Sequence, residues 1–197
     1  MAVEFWFEFA STYSYPAAMR IEALAAAQQV PIIWRPFLLG PIFAAQGWGD
    51  SPFNIYPAKG RYMWRDMERL CAKYALPLCR PSTFPRSGLL AARIALLAAE
   101  EAWLPDFVRG VYQANFVRDQ NVTDPAVVAA ILDAMGLPSA ELLRASATAE
   151  VKARLQQQTA AAVARGIFGA PTFVAGEEMF WGNDRLEDAL AWPGAAA

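Results

Sequence analysis

Near its N-terminus the chain reads Val3-Glu-Phe-Trp-Phe-Glu-Phe-Ala-Ser-Thr-Tyr-Ser-Tyr15, an apolar, aromatic run followed directly by a hydroxyl-rich turn. In residues 3–9 the only polar side chains are those of Glu4 and Glu8. A run this dense in aromatic and apolar residues predicts a β-strand that is mostly buried.

The sequence after this strand predicts a parallel βαβ unit. The Ala-rich stretch from Tyr15 to about Gln29 predicts a helix, with Ser11 as its N-cap and Pro16 in its first turn. Val30 to Leu39 predicts a second strand. Two strands joined by a helix of this length pair in parallel, which predicts an α/β fold.

The remaining chain divides into a long helical part and a short β part. Residues 40–53 are rich in Gly, Pro and Asp and predict a loop. Helices are predicted at 58–75, 88–103, 106–117, 125–135, 139–146 and 148–165. Strands are predicted at 171–175 and 178–181, followed by a turn, a final helix at 185–191 and a loose tail at 191–197.

The composition excludes several kinds of active site. The chain has no histidine, so neither a Ser-His-Asp mechanism nor an imidazole metal site is available, and we expect no metal. A formal net charge of −2 argues against binding to nucleic acid or to a membrane surface. No apolar run reaches the ~20 residues of a spanning helix. No signal peptide is evident, so we expect a cytoplasmic protein in which Cys71 and Cys79 are buried free thiols.

Ser11 lies at the carboxyl end of the first strand, where ligands collect in parallel α/β sheets. The helix N-terminus there offers unpaired N–H groups and about half a positive charge, which stabilise an anion such as a thiolate. Since no histidine is present to activate it, the Ser11 hydroxyl is suited to donate a hydrogen bond to another molecule's thiolate. An ordinary helix-capping serine is the alternative.

A second motif, Gly169-Ala-Pro-Thr172, stands directly before a predicted strand. Its proline is either trans, or cis with a preceding residue that presents free backbone N–H and C=O groups. The sequence leaves both forms open.

Together these motifs resemble the thioredoxin superfamily, with Ser-x-x-Ser where Cys-x-x-Cys would stand, a helical insertion, and Gly-Ala-Pro-Thr before a strand. The insertion resembles the DsbA-like branch, and the first serine resembles kappa-class glutathione transferases and bacterial 2-hydroxychromene-2-carboxylate isomerases. Several segments are more similar to the isomerases: Phe9–Tyr15, Arg35–Gly40, Lys59–Asp66, Phe168–Phe173 and Met179–Leu186. The resemblance implies a thioredoxin-like domain at 1–53 and 166–197 with an all-helical insertion at 54–165.

The resemblance also implies a glutathione site. The residues that match it are Ser11, Asn54, Ala170, Pro171, Gly182, Asn183 and Asp184. Ser11 would face the cysteinyl sulfur, the backbone of Ala170 would pair with the cysteinyl unit, and the turn with Asn183 and Asp184 would bind the γ-glutamyl end.

Four further residues are candidates for the substrate end of the site. Lys59 and Arg61 are cations for the glycyl carboxylate or the substrate carboxylate, and Tyr13 and Tyr62 are aromatic walls for a flat substrate. The chain is apolar around Phe43, where some relatives place a lysine, so the cation that binds the substrate carboxylate is open between Lys59 and Arg61.

The implied activity is that of a glutathione-dependent isomerase in aromatic degradation. It would interconvert 2-hydroxychromene-2-carboxylate and trans-o-hydroxybenzylidenepyruvate by reversible thiolate addition. The implied partners are a small aromatic carboxylate and a second copy of the chain in a homodimer. The alternatives are a kappa-type transferase or peroxidase acting on another electrophile, a disulfide oxidoreductase-like protein or chaperone, and a binding module without turnover.

Overall fold

The computed structural model describes residues 1–195, whose four strands form one mixed sheet. The strands are β1 Val3–Phe7, β2 Ile32–Pro36, β3 Thr172–Ala175 and β4 Glu178–Trp181, in the order β2-β1-β3-β4. β1 and β2 are parallel, β3 is antiparallel to β1, and β4 is antiparallel to β3. The predicted parallel βαβ unit and the C-terminal pair of strands are therefore confirmed.

Ten α-helices occur within the described residues, and a 3₁₀ turn at Asn183–Arg185 precedes the last of them. They are α1 Ser14–Ala27, α2 Leu39–Ala45, α3 Pro52–Ile55, α4 Pro57–Lys73, α5 Leu89–Leu97, α6 Leu104–Phe116, α7 Pro125–Ala134, α8 Ser139–Ser146, α9 Ala149–Ala164 and α10 Leu186–Ala195. Helices α4 to α9 all lie between β2 and β3, as predicted. The division into domains at residues 53 and 165 stays a prediction.

Two short helices occupy the segment that was predicted to be a loop. α2 follows β2 at once, and α3 begins at Pro52 behind Ser51, whose Oγ accepts a hydrogen bond from the Phe53 amide at 3.3 Å. A serine N-cap followed by proline is a helix-start signal, even for one turn. The loop prediction for residues 40–53 was therefore wrong at both ends.

The sheet buries apolar side chains on both faces. Phe5 and Phe7 of β1 pack in a large core with residues of α1 and α4 to α7, while Trp6 points to the opposite face. There it packs in a smaller core with Phe37 and Val174. Alternation along a strand buried on both sides explains why β1 is apolar at nearly every position.

The C-terminal end departs from the prediction of a loose tail. α10 continues to Ala195, so the tail prediction was wrong for residues 191–195, and residues 196 and 197 lie outside the described residues. Both cysteines are free thiols, but only Cys71 is buried; Cys79 is exposed. Within residues 1–195, the helices all lack the length or apolar character needed to cross a membrane.

Candidate active site

The register of the strands brings three distant segments to one edge of the sheet. Trp6 pairs with Thr172, and Thr172 pairs in turn with Trp181. Because antiparallel neighbours run in opposite directions, the segments after β1, before β3 and after β4 emerge together. These segments carry most of the residues that were predicted to hold glutathione.

Ser11 lies in the turn between β1 and α1. Its hydroxyl donates to the carbonyl oxygen of Ala170 at 2.8 Å and accepts from the amide of Ser14 at 3.2 Å. α1 begins at Ser14 with Tyr13 at the N-cap position, two residues later than predicted, but the capping hydrogen bond from the Ser14 amide goes to the Ser11 hydroxyl. Within residues 1–195 the amides of Thr12 and Tyr13 donate to no acceptor, so they are available to an anion.

The Ala170–Pro171 peptide bond is cis, which resolves the alternative that the sequence left open. The amide of Gly182 donates to the Pro171 carbonyl at 2.9 Å and ties the turn after β4 to the start of β3. The Ala170 amide donates to no acceptor within the described chain, while its carbonyl accepts from Ser11. A free N–H and a C=O thus lie beside the Ser11 hydroxyl.

The turn after β4 buries Asn183 and exposes Asp184. Gly182 has a φ of 116°, which favours glycine, and a Cβ there would collide with the Asp184 carboxylate. Asn183 is 2% exposed; its Oδ1 accepts from Arg20 at 3.4 Å, and its Nδ2 has no hydrogen-bond partner. An unpaired buried donor is costly, so the unused hydrogen-bonding capacity of Nδ2 distinguishes Asn183 from an ordinary core amide.

These segments border a cavity of about 1350 Å³. Its apolar lining includes Leu38, Leu39, Phe43, Trp48, Phe53, Phe168 and Trp181. The rings of Phe168 and Trp181 pack edge-on with centroids 4.8 Å apart, and both are about half exposed. The volume exceeds the roughly 300–1,000 Å³ that is usual for the site of one small ligand.

Two cationic side chains line the cavity within the described residues, and only one of them is free. Arg86 is 6% exposed, pairs with Asp119 and donates to Asn115 at 3.2 Å, so the protein itself satisfies it. Lys59 on α4 has no carboxylate partner among residues 1–195, and its Nζ lies 4.7 Å from the centre of the Tyr56 ring. Lys59 is therefore available to an anionic ligand.

The two tyrosines predicted as aromatic walls both line the cavity. The Tyr13 hydroxyl donates to Asp66 Oδ2 at 3.0 Å. Burial, and then this hydrogen bond to a carboxylate, raise the pKa of Tyr13 above its ordinary value, so its phenol stays protonated. Tyr62 is 63% exposed and forms part of the rim.

Three predicted residues do not line the cavity. The Asn54 side chain instead donates to Asp50 Oδ2 at 3.0 Å and to the Phe84 carbonyl at 3.1 Å, so it links α3 to the segment before α5. Arg61 is exposed and points elsewhere, and Pro171 is buried behind Ala170. Their roles in ligand binding stay predictions.

Glu8 is a cavity residue that the sequence analysis placed only within a strand. It is 8% exposed, and its Oε1 accepts from the Ala10 amide at 3.2 Å. Burial raises the pKa of its carboxyl group from 4.5 to about 7. The available signal was a carboxylate in an apolar run, three residues before Ser11.

Within the described part of the chain, no group of three or more His, Cys, Asp or Glu side chains is arranged to hold a metal ion. The polar groups that line the cavity are hydroxyls, amides, carboxyls and the ammonium group of Lys59, besides the paired Arg86.

Comparison with known families identifies the fold of the chain. The family model for the DSBA-like thioredoxin domain matches residues 2–191. The chain belongs to this family. The thioredoxin-like α/β fold with an insertion of DsbA type is thereby confirmed.

Relatives of this DsbA-like protein include isomerases and transferases. It is 33% identical over 191 residues to a 2-hydroxychromene-2-carboxylate isomerase of Sphingobium xenophagum, covering 94% of each chain. It is 27% identical over 202 residues to glutathione S-transferase kappa 1 of Rattus norvegicus, covering 94% of this chain and 87% of that relative. A solved structure of a 2-hydroxychromene-2-carboxylate isomerase superposes with a TM-score of 0.87 at 27% identity, covering 100% of this chain and 96% of that one. The resemblance to the isomerases is confirmed, and the protein is an enzyme of this family.

Proposed function

We propose that the protein is a glutathione-dependent isomerase that interconverts 2-hydroxychromene-2-carboxylate and trans-o-hydroxybenzylidenepyruvate. The observation that carries the proposal is the hydrogen bond from the Ser11 hydroxyl to the Ala170 carbonyl at the border of a large apolar cavity. When bound, glutathione supplies a thiolate for reversible addition to a conjugated carbon of the substrate. The isomerases among the relatives support the choice of reaction.

The residues on the polar side of the cavity fit the tripeptide in charge and hydrogen bonding. The unpaired Nδ2 of Asn183 is a donor for the γ-glutamyl carboxylate, and the exposed Asp184 carboxylate is a partner for its ammonium group. The free amide and the carbonyl of Ala170 are partners for the cysteinyl backbone. Ser11 would transfer its hydrogen bond from the Ala170 carbonyl to the sulfur, which favours the ionised thiol.

The apolar side of the cavity suits a flat aromatic carboxylate. Lys59 would bind the substrate carboxylate, because it is the cationic side chain that lines the described cavity without a carboxylate partner. Tyr13 and Tyr62 would border the ring system, with the pair Phe168 and Trp181 opposite. A cytoplasmic location and a homodimer belong to this proposal as predictions from the sequence.

The second candidate is a kappa-type glutathione transferase or peroxidase, which the kappa-class relatives favour. It would use the same half-site for glutathione, so binding alone does not separate the two. Turnover of the chromene, of chlorodinitrobenzene and of cumene hydroperoxide by the same preparation separates them: we expect the chromene to be the best substrate.

The experiment that tests the proposal measures isomerisation and the pKa of the bound thiol in the wild type and in Ser11→Ala. Loss of one hydrogen bond to a charged group costs about 1.5–3 kcal/mol, so the thiol pKa should rise by about 1 to 2 and turnover should fall about 10- to 100-fold. Ser139→Ala, at the start of α8 and outside the cavity, serves as the control. Full activity without glutathione, or an unchanged thiol pKa in Ser11→Ala, would contradict it.

A further inference from the structure

Glu8 has no part in the glutathione contacts proposed above, although it lines the same cavity three residues before Ser11. We propose that Glu8 accepts the thiol proton when glutathione binds beside Ser11 and holds this proton while the sulfur is ionised. The inference rests on the proposed function, because it requires a thiol ligand at Ser11.

The backbone of Glu8 is fixed by two hydrogen bonds to its carbonyl oxygen, and its carboxyl group by one backbone amide. The Ser11 amide donates to the Glu8 carbonyl at 2.9 Å, and the Tyr112 hydroxyl of α6 donates to the same carbonyl at 3.0 Å. Oε1 accepts from Ala10 and lies 3.1 Å from the point that a Cβ on Gly88, the N-cap of α5, would occupy. The acid is thus bonded to the residue before Ser11 and lines the same cavity as Ser11.

Charged groups near Glu8 do not neutralise it. Tyr112 is the titratable side chain that faces it from α6, and burial and then the charge of Glu8 raise the pKa of that phenol well above its ordinary value. On the segment before α5, the guanidinium of Arg86 is engaged by Asp119. Within residues 1–195 Glu8 forms no salt bridge, so ionisation leaves its charge unpaired in a buried place.

The other charged groups of the cavity lie on different elements. Asp66 on α4 accepts from Tyr13, Lys59 stands on the same helix near Tyr56, and Asp184 is paired with Arg185 behind β4. Asp50 precedes α3 and accepts from Asn54. The three carboxylates among these groups each bond to another side chain, whereas the Glu8 carboxyl accepts from a single backbone amide.

The proposed proton transfer keeps the charge of the cavity constant. The S–H bond breaks, its electron pair stays on the sulfur, and the proton forms an O–H bond on the Glu8 carboxylate. One negative charge is present before and after, so two anions are never buried side by side. Burial gives the carboxyl a pKa of about 7, between an ordinary carboxylate and a thiol of pKa ~8.5, so the proton remains available for return. In a chain without histidine, this buried acid takes the place that an imidazole would have.

Isothermal titration of glutathione at pH 7.5 in buffers of different ionisation enthalpy counts the protons released on binding. With a carboxyl pKa of about 7 and a thiol pKa of ~8.5, the wild type should release only a small fraction of a proton, because Glu8 retains the rest. Glu8→Gln has no acceptor and should release ~0.9 proton. Glu177→Gln, in the exposed turn between β3 and β4, should behave as the wild type.

Infrared difference spectroscopy of the wild type tests the same step without a substitution. Glutathione should produce a carboxylic acid C=O band that is absent in Glu8→Gln and absent when S-methylglutathione replaces glutathione. If glutathione binds and ionises but no such band appears, or the wild type and Glu8→Gln release equal numbers of protons, Glu8 is not the acceptor. If glutathione does not bind the wild type at all, the proposed function fails and this inference fails with it.

Discussion

Replacing Glu8 by Gln measures what it costs the fold to keep a carboxyl group in the cavity. Burial raises the pKa of this group from 4.5 to about 7, so the folded protein binds its proton more tightly than the unfolded chain does. The free energy of unfolding therefore falls as pH rises through the window from 4.5 to 7, and it levels off above that window. At 1.36 kcal/mol for each pKa step of one, the full loss is about 3 kcal/mol. The side chain is only 8% exposed, so solvent screening does not reduce this figure much.

Gln keeps the shape of the side chain and its bond to Ala10 but does not titrate. Linkage with a folded-state pKa of about 7 gives a cost of ~1 kcal/mol at pH 5 and ~3 kcal/mol at pH 8 for the wild type. The variant should therefore gain about 2 kcal/mol over the wild type between these two pH values. Urea unfolding followed by tryptophan fluorescence at both pH values measures it, with Glu177→Gln as the control for loss of one carboxylate. An equal difference at pH 5 and pH 8 would show that the Glu8 carboxyl titrates at its ordinary pKa, and the reasoning would be refuted.

Two predictions concern α4 and α3, where single substitutions have matched controls. Lys59→Gln should raise the KM for the chromene carboxylate about 5- to 10-fold, as expected for loss of ~1 kcal/mol of ion pairing at a partly exposed site. The control Arg61→Gln, outside the cavity, should leave KM unchanged. Equal effects of the two variants in steady-state kinetics would contradict the assignment of Lys59. Gly60→Ala places a Cβ against the Phe53 carbonyl oxygen and should lower the free energy of unfolding by about 1–3 kcal/mol. The control Gly40→Ala, with open space around its Cβ, should be neutral or slightly stabilising. Similar urea midpoints for the two variants would show that α3 shifts away from the new Cβ without loss of stability.

The sheet and the edge of the site were predictable because local signals and strand register act together. The apolar run of β1 and the Gly-Ala-Pro-Thr motif before β3 mark their own strands. Once β3 pairs with β1 at Trp6 and Thr172, Ser11 and Ala170 must become neighbours. The register of two paired strands determines which residues beyond their ends become neighbours. The contact between Ser11 and Ala170 could therefore be predicted without knowing how the helices pack.

The helical wall was less predictable because it depends on rotation and on contacts between segments. Lys59, Tyr62 and Asp66 stand at intervals of three and four along α4 and share a face that lines the cavity. Arg61 is about 200° around the helix from Lys59, so the two cations do not face one ligand. Glu8 is enclosed by α5 and α6, which lie far along the chain from β1. The raised pKa of its carboxyl group therefore could not be predicted from the sequence around Glu8.

The order β2-β1-β3-β4 has a consequence for the synthesis of the chain on the ribosome. β1 and β2 can pair early, but the other edge of β1 is covered only by β3, and 135 residues lie between Pro36 and Thr172. At a translation rate of ~5–20 residues per second, the second edge of β1 stays unpaired for roughly 7 to 27 s until β3 has been synthesised. An aromatic strand with one unpaired edge is prone to pair with other chains. We therefore expect truncations that remove β3 to aggregate during expression, and the proposed glutathione half-site to appear only when almost the whole chain has been made.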